Sequence, residues 1–575
     1  MSMKGKKTNN RLWWIGIAGA LALINVLAAQ FHQRFDLTEE KRFSLSKPTK
    51  DLLRQLEAPV TIDVYLTGKE LPAVVRKFRN TLSDFLFETK QYAGNNLQFN
   101  FIDPYASNDT AVVRQLQDSL ATNYGLTPVV INAPAAVGDE LKIKQLIHGA
   151  VVRYGDRSVG VDLLQGEKSF GTEKEQLAAL YNNMEARIEY KFASAIQKIT
   201  TKQKPVVAYA LGHGETFDAR VNDAFITIRE NYSGDTINIK EVPFIPSQIN
   251  ALVILKPTQP FADADKLKID QYVMNGGKVF WMIDNMYAEF DSLYKSNGFI
   301  AYDRGLNLED LLFTYGVRIN QTLLQDMQCD KLPQVGPNGQ QMLVDWPFFP
   351  ILNGTDHPIS KNLDGIRSMF PTTLDTVQAA GIRKTVLLQS SNNSRYLEAP
   401  AKIDFEFLQI APDQKLFHKP ATPVAYLLEG KFRSLYTGRV PRAVADSLKQ
   451  MNHPFQNTAV TDGKMIVVAD GDIAMNQFSS SAGPLPMGMN VFTRYTFANK
   501  DFFVNSLEYL VNPTDILQTR SKEYTLRLLD PRRVDEQRST WQLVNIALPI
   551  VLVVLFGYIY QQVRKRTYTV GNPKN

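Results

Sequence analysis

The sequence is poor in the residues that build disulfide frameworks and metal centres. Its 575 residues include one cysteine, Cys329, so an intrachain disulfide and a cysteine-based zinc site are both excluded. The six histidines lie at positions 32, 148, 213, 357, 418 and 453, without the short spacings of a metal-ligand set. We therefore predict no metal site and interpret Cys329 as a buried, small apolar residue.

Motifs for catalysis and for nucleotide or cofactor binding are also absent. The chain has no G-x-x-x-x-G-K-[ST] phosphate loop, no H-E-x-x-H, no G-x-S-x-G and no G-x-G-x-x-G. We predict no catalytic residue, no cofactor and no enzymatic activity.

The chain lacks a strong charge imbalance as well. Its 64 basic and 58 acidic residues give a formal net charge of +6, which is small for this length. A nucleic-acid-binding surface needs basic residues clustered on a folded domain, and the sequence shows no such cluster. We predict no nucleic-acid partner, and the length predicts several domains.

Two long apolar runs lie near the ends of the chain. Residues 12–29 (LWWIGIAGALALINVLAA) are uncharged, and at 1.5 Å per residue they span about 27 Å, close to a bilayer core. A second uncharged run, Leu543–Tyr560, lies within a predicted span of 541–562 bordered by Trp541. We predict two transmembrane helices, although the basic start of the chain also fits a cleaved signal peptide for the first run.

The flanks of these runs predict the orientation. The tail at 1–11 holds four basic residues and no acid, and the tail at 563–575 holds three arginines and lysines directly after the second run. The positive-inside rule places both tails in the cytoplasm and the central part outside it, followed by a juxtamembrane linker at 516–540. Basic residues in that linker are a counter-signal, but so long a translocated segment does not let its charges decide the topology.

Residues 30–200 are predicted to form a first extracytoplasmic domain. Val60–Leu66 and Leu97–Phe101 alternate apolar and polar residues, as strands do, with a helical pattern between them. This strand–helix–strand unit predicts parallel strands joined by a right-handed crossover. A further helix, Pro128 and a hairpin follow, an order that resembles the thioredoxin fold.

The thioredoxin-like interpretation carries further expectations. Pro128 would be the cis-proline of that fold, or would lie in a turn of a generic α/β domain. The Cys-x-x-Cys pair of the redox enzymes is absent, so redox catalysis is excluded. A long helix over about 173–199 ends the domain, and its apolar stripe indicates core packing and a brace between two domains.

Residues 205–515 are predicted to form a doubly wound α/β domain. The predicted apolar strands are 205–210, 236–242, 251–255, 278–284 and 464–469. Helices between them favour a sheet similar to the class I glutamine-amidotransferase or flavodoxin fold. Residues of about 290–460, with many short β-like runs and prolines, are predicted to be a β-rich insertion.

Polar residues follow several of the predicted strands. The candidate ligand-binding residues are Gly212, His213, Gly214, Glu215, Asp284, Asp470 and Asp472. Open α/β sheets bind ligands at the carboxyl ends of their strands, so these side chains are expected to form a polar cluster there. An amidotransferase would need a cysteine on a strand-to-helix elbow, and Cys329 is on none. A purely structural turn at the two glycines is the alternative.

An ordered set of segments resembles the gliding-motility-associated ABC transporter auxiliary proteins of the GldG family. The segments are Arg34–Thr38, Lys41–Ser46, Pro59–Gly68, Phe101–Pro104 and Leu211–Glu215. The resemblance covers nearly the whole chain, including both apolar runs. It implies a complex with a membrane permease and a cytoplasmic ATPase, a two-pass location in a bacterial inner membrane with a periplasmic main domain, and a role in gliding motility. Because the chain has no ATPase loop, energy would come from a partner.

Three functions are compatible with these features. The first, which we favour, is a membrane-anchored auxiliary subunit whose large periplasmic domain binds partners or an unknown envelope ligand. The second is an envelope hydrolase or amidotransferase-like enzyme that uses the turn at His213. The third is a scaffold that binds no ligand.

Overall fold

A computed structural model describes most of the chain. It covers residues 44–569 apart from 69–70, 135–140, 165–172, 297, 336–339, 406–412, 480–482, 513–515, 518 and 520–530, together with Gly16 and Gly19. The chain divides into two compact units, residues 1–523 and 524–575, here called the body and the C-terminal unit.

The first part of the body alternates helices and strands. Its elements are α1 (Lys47–Arg54), β1 (Val60–Val64), α2 (Ala73–Ala93), β2 (Leu97–Phe101), α3 (Thr110–Tyr124), β3 (Val129–Pro134), β4 (Leu141–Leu146), β5 (Gly149–Tyr154), β6 (Arg157–Asp162) and α4 (Glu173–Thr200). The Ser46 hydroxyl caps α1 by accepting a hydrogen bond from the Thr49 amide, and Gly125 ends α3 in a left-handed conformation.

These elements form a four-stranded sheet in the order β2-β1-β5-β6. β1 and β2 are parallel, as the sequence predicts, whereas β5 and β6 run antiparallel to their neighbours. Helices α2 and α4 cover the sheet with apolar side chains at helical spacing. The fully or nearly fully buried ones are Val75, Phe78, Leu82 and Leu86 from α2, and Tyr181, Met184, Ile188 and Phe192 from α4.

Two details of this region differ from the sequence prediction. The one cis peptide bond among the described residues is Ala399–Pro400, so Pro128 is not a cis-proline. β3 and β4 form a separate two-stranded hairpin between α3 and β5. Sequence periodicity missed most of it because a short two-stranded ribbon carries a weak pattern.

The second part of the body is built on a large mixed sheet. Its parallel half contains β7 (Val206–Leu211), α5 (Asn222–Asn231), β8 (Ser233–Asn238), β9 (Ile249–Leu255), α6 (Asp263–Met274), β10 (Lys278–Met282), β23 (Gly463–Val468) and α10 (Asn499–Val511). The five strands lie in the order β8-β7-β9-β10-β23 and are all parallel. Leu252–Leu255 and Phe280–Met282 are fully buried, as in strands covered on both faces.

The segment between β10 and β23 supplies most of the remaining elements. They are β11 (Met286–Tyr287), α7 (Phe290–Ser296), β12 (Gly298–Asp303), α8 (Glu309–Tyr315), β13 (Val317–Ile319), β14 (Thr322–Asp326), β15 (Cys329–Val335), β16 (Gln341–Gly354), β17 (Ile366–Arg367), β18 (Leu374–Thr376), β19 (Ile382–Gln389), β20 (Ser394–Glu398), β21 (Ala401–Asp404), β22 (Pro423–Gly430) and α9 (Arg442–Gln450). Two short strands after β23, β24 (Phe478–Ser479) and β25 (Gly483–Pro484), pair with each other.

The predicted β-rich insertion is not a separate sheet. Strands β22, β19, β16 and β15 add to β23 one after another, all antiparallel, so that they continue the main sheet. Smaller sheets, β11-β12-β21, β13-β18 and β14-β20, lie beside it. The parallel and antiparallel halves share one apolar core.

The C-terminal unit contains the helix α11 (Pro531–Thr569). Residues Gln537–Arg566 are long and apolar enough to cross a membrane, and they are exposed. It is the one helix among the described residues that meets this criterion, so the structure offers one membrane span where the sequence predicts two. The first apolar run, 12–29, lies outside the described residues except for Gly16 and Gly19.

Candidate functional site

The carboxyl ends of the parallel strands meet at one edge of the main sheet. Because β8 and β9 lie on opposite sides of β7, the strand order reverses between β7 and β9. Open α/β sheets hold their ligands in the crevice at such a reversal. His213 follows β7, Lys256 follows β9, Asp284 follows β10, and Asp470 and Asp472 follow β23.

Lys256 is the centre of a buried charged cluster. Its Nζ lies 3.0 Å from Asp284 Oδ2, 2.5 Å from Asp472 Oδ1 and 3.2 Å from Glu289 Oε2. Glu289 is also bonded to the Arg304 guanidinium. We call Lys256, Asp284, Glu289, Asp470 and Asp472 the Lys256 cluster. One ammonium group therefore contacts carboxylates from two segments of the chain, those after β10 and after β23.

The local backbone brings Lys256 into this position. Its φ of +49° lies in the left-handed region, which non-glycine residues seldom adopt. Gly471 packs directly against it, and a Cβ at position 471 would lie 2.7 Å from the Lys256 Cβ. The Gly471 amide donates a hydrogen bond of 2.5 Å to Asp284 Oδ1. Glycine is thus required at 471 for the two loops to approach each other.

Asp470 is fully buried and accepts three hydrogen bonds. The Met369 amide donates to its Oδ2 at 2.9 Å, the Ser368 hydroxyl donates to the same oxygen, and the Asp472 amide donates to Oδ1 at 2.7 Å. Ser368 and Met369 directly follow β17, so the segment between β10 and β23 covers the strand ends.

Two of the buried carboxylates, Asp470 and Asp472, retain protons more strongly than free carboxylates do. Burial, followed by the charges of Asp284 and Asp472, raises the pKa of Asp470 well above its usual value. Burial also raises the pKa of Asp472 to about 7, although the Lys256 ammonium lowers it. Burial alone would lower the pKa of Lys256, but the surrounding carboxylates outweigh burial and raise it. Near neutral pH the cluster holds a charged lysine and can take up a proton on Asp472.

Three carboxylates of this cluster lie close enough together to be considered as ligands of a metal cation. Oxygen atoms of Asp284, Asp470 and Asp472 lie within 4.8 Å of one another, and hard divalent cations prefer such donors. However, the Lys256 ammonium already lies against two of these three carboxylates. A divalent cation would be repelled by that charge, so these residues do not fit a metal ion while Lys256 is protonated.

The turn after β7 is a second, separate polar group. Gly212 and Gly214 have φ values of +121° and +76°. The His213 carbonyl accepts hydrogen bonds from the Thr258 and Gln259 amides, at 2.9 and 2.8 Å. We call residues 212–215 the His213 turn. These hydrogen bonds fasten the His213 turn to the loop after β9. The positive φ values at positions 212 and 214 favour glycine in the turn itself.

The His213 side chain is completely buried within this group. Its Nε2 lies 3.1 Å from Asp265 Oδ2, and its ring stacks on Phe261 with 3.7 Å between the centroids. The Glu215 carboxylate accepts the His213 amide hydrogen bond at 2.7 Å. Its other oxygen lies 3.7 Å from His213 Nδ1, too far for a hydrogen bond. A ligand in solvent would not reach this imidazole unless the turn opened.

The structure therefore divides the seven predicted residues into two groups. Asp284, Asp470 and Asp472 come together in the Lys256 cluster, and the four residues of the His213 turn lie elsewhere. Across the described ranges, no hydrogen bond or ion pair joins His213 to those three aspartates. The segment 256–261 connects the groups, because it supplies Lys256 to one and Phe261 to the other.

Sequence reasoning missed Lys256, Glu289 and Asp265. Lys256 directly follows an apolar strand, so the rule that found Asp284 would also have found it. Glu289 and Asp265 carry no comparable signal, because a loop and a helix bring them in from the side. Cys329 lies at the start of β15, and burial raises the pKa of its thiol, which disfavours the nucleophilic thiolate.

Comparison with models of known protein families shows the family to which this chain belongs. A family model described as an ABC-type uncharacterized transport system, for an auxiliary component, matches residues 204–506, more than half of the chain. The chain belongs to this family. A second model, a domain of unknown function, matches residues 39–153.

Other similarities are more distant. An uncharacterized protein of Borreliella burgdorferi is 21% identical over 416 residues, which cover 70% of this chain and 74% of the relative. A solved structure titled the mmIFT52 N-terminal domain is 12% identical, with a TM-score of 0.30, over 53% of this chain and 96% of that chain.

The region that the family model matches includes both polar groups of the site. The His213 turn and the Lys256 cluster lie within the matched residues 204–506. The match supports the expected place of the chain in an ABC-type transport system, which implies association with transporter components. The family is not a known enzyme class, and its description does not refer to gliding motility.

Proposed function

We propose that this protein is a membrane-anchored auxiliary subunit of an ABC transporter complex, with a periplasmic body that binds partners or an envelope ligand. Its partners are a membrane permease and a cytoplasmic ATPase. The observation that carries the proposal is the presence, in one chain, of the transport-auxiliary family match and the exposed apolar helix Gln537–Arg566. We further propose that the complex serves gliding motility, as the resemblance to the GldG family implies.

The closed state of the two polar groups disfavours the hydrolase or amidotransferase alternative. His213 is buried against Phe261 and Asp265, and Lys256 is held by three carboxylates. Neither group presents a nucleophile with a base within hydrogen-bond reach in an open cleft. The enzyme alternative predicts that His213→Ala abolishes function while the protein still accumulates and stays in its complex.

The strand orders support the finer fold assignments that we propose. The first domain, about 30–200, has two parallel strands followed by an antiparallel hairpin in the order β2-β1-β5-β6, as a thioredoxin-like domain would. The parallel half of the second domain, about 205–515, has the order 2-1-3-4-5 when its strands are counted along the chain, which is the flavodoxin-like order. Residues 201–204 lie between α4 and β7 and form the boundary.

Purification in mild detergent tests the transporter assignment. A tagged full-length chain should recover one permease and one ATPase, identified by mass spectrometry, in fixed ratio. A tagged single-span protein of unrelated sequence controls for non-specific recovery of membrane proteins. Reproducible recovery of this chain alone, under conditions that preserve another ABC transporter of the same cells, would count against the proposal.

Gene deletion tests the proposed process. In a host whose cells glide, loss of this chain should abolish spreading on a surface, and the wild-type gene should restore it. Deletion cells that glide normally would separate the protein from motility while leaving the transporter assignment intact.

A further inference from the structure

A large open cleft lies within the body, away from the Lys256 cluster and the His213 turn. Its volume is about 1140 Å³, larger than the roughly 300–1,000 Å³ of typical small-molecule sites. One wall is helix α4, and the facing wall is formed by α5 and α10. Strand β6 and the end of α3 complete it. The first and second domains therefore both contribute to the cleft.

Helix α4 has two distinct faces. Its apolar stripe packs in the first core, whereas Arg187, Tyr190, Lys191, Ser194 and Lys198 line the cleft at helical spacing. The cleft-facing side also touches the second domain, because Arg187 Nη2 donates to the Asn362 carbonyl at 2.8 Å and Tyr190 donates to Glu508 at 2.6 Å. These contacts hold the two walls at a fixed distance.

The lining of the cleft carries an excess of positive charge. Seven basic and three acidic side chains line it. Several basic groups are held by neutral acceptors: Lys191 donates to the carbonyls of Asp162 and Leu163 at 2.8 Å, and Arg157 donates to that of Thr201 at 2.7 Å. Two of the seven are paired with carboxylates, Lys202 with Glu57 and Lys500 with Asp223. A carbonyl oxygen orients a cation without cancelling its charge, so the other five basic groups keep the field in the cleft positive.

Lys198 differs from the other basic residues of the cleft because it has no direct polar contact among the described residues. Its side chain remains accessible to solvent, and it makes no hydrogen bond or ion pair within the part of the chain that the structure describes. Protein surrounds it on most sides, and this burial lowers its pKa although the charges of Glu508 and Glu230 raise it. An ammonium group that faces solvent and has no direct contact with a carboxylate can pair with an incoming anion.

We propose that this cleft binds an extended phosphate-bearing molecule of the cell envelope, with the Lys198 ammonium as a principal contact. Lysine serves as a point-charge partner of phosphate, and most of the basic residues that line the cleft are lysines. The volume of the cleft suits a ligand longer than a single small molecule. The phosphate belongs either to a lipid headgroup or to a soluble molecule. The phosphate chemistry follows from the geometry of the body and does not depend on the transporter assignment, whereas the envelope origin of the ligand rests on the proposed periplasmic location.

Calorimetry with linear tripolyphosphate tests the site in the full-length protein. We expect saturable binding at low salt that weakens as salt is raised, because the contacts are between charges. Lys198→Gln should weaken binding roughly tenfold, since it removes one charge-assisted contact. Lys449→Gln, on the exposed face of α9, is the matched control and should bind as the wild type does. Equal affinity of Lys198→Gln and the wild type, or no binding by the wild type, would overturn the proposal.

Reductive methylation of the unmodified protein gives a test that does not depend on a variant. Mass spectrometry should show Lys198 protected by tripolyphosphate and Lys449 modified equally with and without it. Protection in nanodiscs of phosphatidylglycerol, but not of phosphatidylcholine, without added tripolyphosphate would identify a lipid headgroup as the source. Protection by tripolyphosphate in phosphatidylcholine nanodiscs, with none from phosphatidylglycerol, would identify a soluble ligand. Lack of protection in every condition would refute the site.

Discussion

Lys256 is buried, charged and in the left-handed backbone region, and each of these properties costs free energy. Its contacts with Asp284, Asp472 and Glu289 offset the desolvation cost, because each charge finds a partner of opposite sign. Gly471 makes room for its side chain. The cluster therefore joins the loops after β9, β10 and β23, and removing Lys256 leaves the buried carboxylates of Asp284 and Asp472 without a cation.

Lys256→Met tests the role of this cation directly. Methionine keeps the unbranched stem but removes the charge, so the buried carboxylates of Asp284 and Asp472 would lose their ammonium partner. We expect the free energy of unfolding to fall by about 3–5 kcal/mol, measured by denaturant titration of the purified protein. Lys449→Met removes an exposed lysine and should change stability by about 0.5 kcal/mol or less. A loss below about 1 kcal/mol for Lys256→Met would show that the cluster does not stabilise the body.

Asp472→Asn tests the proton affinity of the cluster. The folded-state pKa of Asp472, about 7, is above the unfolded value of about 3.9. On lowering the pH from 8 to 5, the folded protein therefore takes up a proton that the unfolded chain does not, and the folded state gains stability. The wild type should gain about 2.5 kcal/mol relative to Asp472→Asn over this range. Thermal unfolding at several pH values measures the difference, and a pH-independent difference contradicts it. Asp446→Asn replaces an exposed aspartate on α9 in the same way and serves as the control, because it should leave the pH dependence of stability unchanged.

Contacts outside the strand ladders also connect the elements of the body. The His213 turn stays closed because its carbonyl oxygen accepts two hydrogen bonds from the loop after β9. Helix α4 belongs to both domains, since one face packs in the first core and the other bonds to Asn362 and Glu508. Both elements make hydrogen bonds to segments distant in the sequence. A substitution in either element is therefore expected to affect those segments as well.

Gly214→Ala separates conformational strain from close packing. Gly214 and Gly438 have nearly equal φ values, +76° and +73°. A Cβ at 214 would overlap the Thr258 hydroxyl, whereas a Cβ at 438 meets nothing within 4 Å. Gly438→Ala should therefore cost only the left-handed strain of about 1–2 kcal/mol, and Gly214→Ala should cost about 1–3 kcal/mol more. Denaturant titration of both variants measures the difference, and equal losses would show that the turn can relax.

At the scale of the whole molecule, a large folded body and an apolar helix belong to one chain. The body presents a basic cleft between α4 and the helices α5 and α10, and the uncharged run Leu543–Tyr560 of the helix exposes apolar side chains that water does not favour. These two features are compatible with the proposed role as a membrane-anchored auxiliary subunit.

Cysteine labelling tests the proposed orientation. In a Cys329→Ser background, Lys449→Cys in the body should react with a membrane-impermeant maleimide in cells whose outer membrane is permeabilised. Lys565→Cys, in the basic end of α11, should react only after lysis. The two variants serve as each other's control, because they differ only in predicted side of the membrane. The opposite pattern would place the body in the cytoplasm.

Much of the candidate site could be anticipated from the chain because strand ends leave a local signature. An apolar run followed by an aspartate predicts a polar group at a sheet edge, and Asp284, Asp470 and Asp472 were found in this way. The same logic could not separate His213 from them, because their distance depends on how the loop at 256–261 folds. Nor could it show that a lysine neutralises the aspartates.

The amino-acid sequence by itself determined the alternating strands and helices, the apolar C-terminal helix and the lack of catalytic motifs, because each follows from periodicity or residue type over a short window. Tertiary structure alone decided that the segment between β10 and β23 extends the main sheet, and that basic residues of β6, α4 and α10 gather in one cleft. These features join residues tens to hundreds of positions apart, and no local pattern records which distant segments will pair.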